Sequence, residues 1–121
     1  MTFFVKNRPI VAALAFAALV GCATDPAPLE QMKLTEKAVE QAKAVGATDD
    51  EAELEMAVAK LALARSDMSS QSYKSARMQA EQAELDARLA EAQVLTAKSE
   101  EQITQLNTRL TRLRKQVGEG Q

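Results

Sequence analysis

Residues 73 to 117 read "YKSARMQAEQAELDARLAEAQVLTAKSEEQITQLNTRLTRLRKQV", with no glycine or proline among them. This stretch predicts one helix from about Gln71 to Val117, roughly 70 Å long at about 1.5 Å per residue. Two seams run along it. Ala76, Ala80, Ala83, Ala87, Ala90, Val94 and Ala97 alternate steps of four and three, and such small residues let a neighbouring helix approach closely. The other seam is Leu85, Leu89 and Ala92, lapses at Thr96 and Ser99, and resumes at Ile103, Leu106, Leu110, Leu113 and Val117. At about 3.5 residues per turn the two seams point to nearly opposite sides.

Working outward, "SSQS" (69–72) marks a turn, because serine competes with helix interiors and favours their ends. Before it, Leu54, Ala57, Leu61, Ala64 and Met68 form a narrow stripe, which predicts a helix over about 49–68. The short connection implies an antiparallel hairpin. "TDDE" (48–51) reads as a capping box, Thr48 accepting from the backbone while Glu51 reaches back. Asp49 and Asp50 would favour the positive end of the dipole. Ahead of that, residues 29–45 predict a first helix with Leu29, Met32, Val39 and Ala42 on one side and Gly46 at its C′ position. The fold class is all-α: an antiparallel hairpin within a three-helix arrangement, with a long coiled-coil-like C-terminal helix.

The lengths do not match. A second helix of about 20 residues can cover only about 20 residues of the third, and the alanine seam faces it there. The helix-packing residues are therefore Ala76, Ala80, Ala83 and Ala87. Beyond about Ala92 the chain offers no long companion unless the first helix swings out. The stripe Ile103, Leu106, Leu110, Leu113 and Val117 is then either an exposed, partly frayed helix or an intermolecular interface. In a parallel pair Arg109 at a g position would face Arg114 at an e position. An antiparallel pair, a trimer or a partner with acidic flanks avoids that contact.

The start of the chain speaks to location. Lys6 and Arg8 precede the uncharged run "IVAALAFAALV" (10–20), and Gly21 stands before Cys22. That is the order of a secretory signal peptide over residues 1–21. Its apolar run would be roughly 16 Å long as a helix, about half the hydrocarbon thickness of a bilayer. "LVGC" resembles the bacterial lipobox, which implies cleavage between Gly21 and Cys22 and lipidation of Cys22. The alternative is a buried or unpaired cysteine after an ordinary signal. Two or three acyl chains would hold the protein durably, since one alone binds marginally. The residue after the cysteine is Ala23, whereas lipoproteins kept in the inner membrane commonly carry Asp there. The resemblance therefore implies the outer membrane, with the body facing the periplasm. Residues 22–28 make the lipidated tether, in which the six residues "ATDPAP" after the cysteine, with Pro26 and Pro28, extend to at most about 20 Å.

Composition narrows the chemistry. Cleavage would leave 13 basic and 17 acidic side chains, a net of −4, and one aromatic, Tyr73, which is expected to pack at the hairpin bend. The chain has no His, so Ser–His and Cys–His pairs and the usual zinc sets are excluded. No glycine-rich loop joins a strand to a helix. Glu51, Glu53 and Glu55 read as solvated charge at a helix start and not as catalytic acids. No catalytic, metal or cofactor residue is expected, and the protein is expected not to be an enzyme. "RLTRLRK" (109–115) could touch anionic lipid, an acidic protein face or, weakly, peptidoglycan. Equally, basic residues gather at helix C-termini for dipole reasons alone. Export removes nucleic acid from reach.

"LVGC", "DPAP", "EQMKLTEKAVEQAKAVGAT", "QSYKSARMQAEQAELDARLAEAQVLTAKSEEQ" and "LNTRLTRLRKQ" together resemble the bacterial lipoproteins called domain of unknown function 4398. That resemblance implies a helical envelope lipoprotein without a defined activity. The expected function is a non-enzymatic structural or interaction lipoprotein that self-associates through the distal leucine seam. The alternative is an accessory subunit docking on an envelope complex, such as a transporter or cell-wall machinery.

Overall fold

The computed structural model describes residues 25–120. The expected signal segment, Gly21, the expected lipidation residue Cys22 and the expected tether up to Thr24 lie outside the described residues. Three helices follow: α1 (Leu29–Ala44), α2 (Ala52–Ser69) and α3 (Tyr73–Glu119).

α1 starts on Pro28, which is buried and whose carbonyl accepts the Met32 N–H at 3.0 Å. Its inner side carries Met32, Thr35, Ala38, Val39 and Ala42. Leu29, expected on that side, is 59% exposed. The buried line continues back through position 28, and Leu29 stands one residue off it. The helix ends with Gly46 at φ +105°, the Gly46 N–H bonding to Lys43 O and the Ala47 N–H to Ala42 O. That pair of bonds is a Schellman motif, and the buried Ala47 and Ala42 supply its apolar contact.

The second helix begins later than its cap motif suggests. Glu51 N–H bonds to Thr48 O at 3.0 Å, which closes a turn, and Glu51 takes the N-cap place with φ −84° and ψ 122°. No side chain caps it, so the Thr48–Glu51 box does not form. The buried Ala47 pins the preceding turn, and Thr48 is committed to the next one before the helix opens at Ala52. α2 ends in a second Schellman pattern, Gln71 N–H to Met68 O and Ser72 N–H to Asp67 O, which places Gln71 at φ +61°.

Ion pairs and hydrogen bonds fix the directions. α2 runs antiparallel to α3, with Asp67 accepting from Ser75, Lys60 joined to Asp86, and Gln93 donating to Glu53. α1 runs parallel to α3, Pro26 meeting Arg77 at one end and Val45 meeting Lys98 at the other. The core is thin and built on alanine. Ala76, Ala80, Ala83, Ala87 and Ala90 are wholly buried on α3, and all but Ala76 share one core with Leu54, Ala57, Leu61 and Ala64 of α2 and the inner side of α1. Burial of Leu54 and Leu61 contributes about 1.5–3 kcal/mol each. Methyl-sized partners keep the three helices close.

Candidate interaction face

On α3, the heptad places Leu89, Thr96, Ile103, Leu110 and Val117 at a, and Leu85, Ala92, Ser99, Leu106 and Leu113 at d. The buried alanines then occupy b and f. α1 reaches the c side, where Gln31 bonds to Glu84 and Lys98 to Val45 O. α2 reaches the e side, where Lys60 meets Asp86 and Gln93 meets Glu53. From Gln82 onward the a, d and g positions have no companion among the described residues. Leu85 is 67% exposed there, and Leu89 and Leu95 are also open.

Both companions stop near Lys98, and every described residue from Leu95 to Gly120 is exposed. The expected interface residues Ile103, Leu106, Leu110, Leu113 and Val117 lie in this uncovered part, between 50% and 68% exposed. The opposite side of the rod changes chemistry at the same place. Alanine gives way to Thr104, Thr108 and Thr111, whose hydroxyls donate to carbonyls four residues back. The distal rod is therefore apolar along one line only. Nearer the bundle that line broadens. Met56 and Leu63 of α2, four before and three after Lys60, border it on one side and are 44% and 54% exposed.

Charge is divided along the same helix. From Glu81 to Glu101 six carboxylates face two cations, Arg88 and Lys98; from Gln102 to Gly120 four cations, Arg109, Arg112, Arg114 and Lys115, face Glu119 alone. Glu84 ties α1 to α3. It accepts from Gln31 at 2.7 Å and from Arg88 four residues on. The Gln31 bond holds its carboxyl below the ordinary 4.5, Arg88 adding to the effect and burial opposing it. Beside it Thr35, wholly buried, donates to Ala80 O at 2.8 Å. Neither group stands out in the sequence, although Thr35 is the polar member of the line 28, 32, 35, 39, 42. Tyr73 is half-buried and lines a shallow groove of about 590 Å³ at the bend, with Asp25 and Met78. Among the described residues no three acidic, His or Cys side chains gather to hold a metal ion, and no helix is long and apolar enough to cross a membrane.

Together these features define an all-α class: a three-helix bundle from which the third helix runs on with one apolar line. The chain belongs to the family described as domain of unknown function (DUF4398), whose model matches residues 30–106. It is similar to a DUF4398 family protein from Pseudomonas aeruginosa PAO1 known from a crystal structure. The two share 64% identity with a TM-score of 0.76, covering 79% of this chain and 100% of that one. No curated protein matches the chain.

Proposed function

We propose that this is a non-enzymatic lipoprotein of the outer membrane, held by acyl chains on Cys22, with a structural or interaction role in the periplasm. It self-associates through the distal seam of α3. The observation that carries the reading is the reach of α3, which runs past both companions with five large apolar side chains in heptad register and no cover among the described residues. Such a line exposed to water favours association, each buried Leu or Ile contributing about 1.5–3 kcal/mol. The anchor rests on "LVGC" at the correct distance behind a basic head.

Two experiments test it. Cys22→Ser is expected to abolish incorporation of labelled fatty acid and to leave uncleaved precursor in the membrane; normal processing of that variant refutes the anchor. Leu106→Asp combined with Leu110→Asp is expected to abolish association while circular dichroism retains most of the helicity. A wild-type chain that sediments only as a monomer would favour docking on another envelope protein instead.

A further inference from the structure

We infer that the cover of the distal seam is a second copy of this chain laid antiparallel, so that each distal rod becomes the fourth helix of the other copy's bundle. This rests on the reading that the seam self-associates, and adds its direction and register. In a two-fold pair residue i meets j and residue j meets i. With the axis near Glu101, a and d positions pair as Leu85 with Val117, Leu89 with Leu113, Ala92 with Leu110, Thr96 with Leu106 and Ser99 with Ile103. The lapse in the seam thereby gains a use. Its small side chains Ala92, Thr96 and Ser99 stand opposite the large Leu110, Leu106 and Ile103, leaving holes for those knobs.

Charge selects the same direction. The antiparallel copy lays the cationic end, Arg109 to Lys115, along the other copy's carboxylate-rich segment, Glu81 to Glu101. Arg114 at e comes beside Asp86 of the second copy, which is tied to Lys60 through Oδ2 and keeps a fifth of its side chain exposed. A parallel pair would instead lay cations on cations and carboxylates on carboxylates, and Arg109 on Arg114. One like-charge contact remains, Glu100 against its own counterpart at the axis, in water where it costs little. The bundle also leaves a place for the incoming rod. α1 and α2 occupy the c and e sides of α3, and the open a, d and g side carries Leu85, Leu89 and Leu95, bordered by Met56 and Leu63. A helix entering there runs antiparallel to α3 and completes four helices.

The full chain in detergent, carrying Leu89→Cys and Leu113→Cys, tests the arrangement when oxidised and mapped by peptide mass spectrometry. Facing a and d positions bring Cβ atoms within disulfide reach, and Cys22, lipidated under the anchor reading, has no free thiol to compete. Antiparallel pairing predicts disulfides that join position 89 of one copy to position 113 of the other. The single variant Arg114→Glu reads the sign: it should weaken the dimer about two- to fivefold by opposing Asp86. Links joining 89 to 89 and 113 to 113, with Arg114→Glu tightening the dimer by relieving Arg109, would overturn the antiparallel arrangement and leave self-association standing. A monomer by sedimentation with no intermolecular links would overturn both.

Discussion

Thr35 and Glu84 sit where α1 meets α3, and each converts a polar side chain into an alignment device. Thr35 has no water to turn to, so its hydroxyl must find a carbonyl, and it takes its own Gln31 O or Ala80 O across the interface. Glu84 is set to stay ionised in the fold. Its carboxyl lies below 4.5 chiefly through Gln31, whereas in the unfolded chain it returns to the ordinary value. The depressed value means that this stabilisation is complete above the unfolded value and is lost as pH falls through the folded one. Urea midpoints of the wild type and of Glu84→Gln, measured across pH, should therefore differ by a constant gap above about pH 6 and converge below about pH 4.5. A gap indifferent to pH would show that the charge contributes nothing. Such residues are hard to read from sequence. Apolar spacing finds cores by excluding threonine, so it passes over Thr35 and takes in Leu29, one place off the packed line. Gly46 is legible as a helix stop because a left-handed residue after Ala44 favours glycine. Gln71, in the same role after α2, carries no such mark.

At the scale of the helix, α3 declares itself through its two periods. Its alanines at b and f are wholly buried as far as Ala90, and threonines take those places where α1 and α2 end. Spacing makes both seams visible, but only the packing assigns α1 to the c side of α3 and leaves a, d and g open. The start of α2 departs from its cap motif for a local reason: the Thr48–Glu51 box competes with a backbone turn, Glu51 N–H to Thr48 O, and the turn wins. The small-residue seam carries its own prediction. Ala83→Leu forces three extra carbons into a contact with no room and should cost about 1–3 kcal/mol in chemical denaturation. Thr104→Leu, on the same side but past the companions, should stay within about 0.5 kcal/mol. Equal effects at the two sites would mean that the seam is not closely packed.

For the whole molecule, the bundle and the rod divide the labour. The bundle is closed by its own alanines, and the rod carries the surface that is not. Pro26 lies beside Arg77, at the start of α3. In the proposed antiparallel pair the two ends that would carry the lipid would therefore lie about 70 Å apart along the rod at about 1.5 Å per residue, far beyond the expected tether's reach of about 20 Å. Two anchors in one membrane would hold such a pair flat along its surface. All of this depends on whether Ile103 to Val117 meets a second chain, and sedimentation equilibrium of the detergent-solubilised full chain, density-matched, asks that directly. The mass is expected to be that of two chains, falling to one when Leu106→Asp and Leu110→Asp are combined. A single-chain mass for the wild type at every concentration, or an unchanged dimer in the double variant, would contradict it.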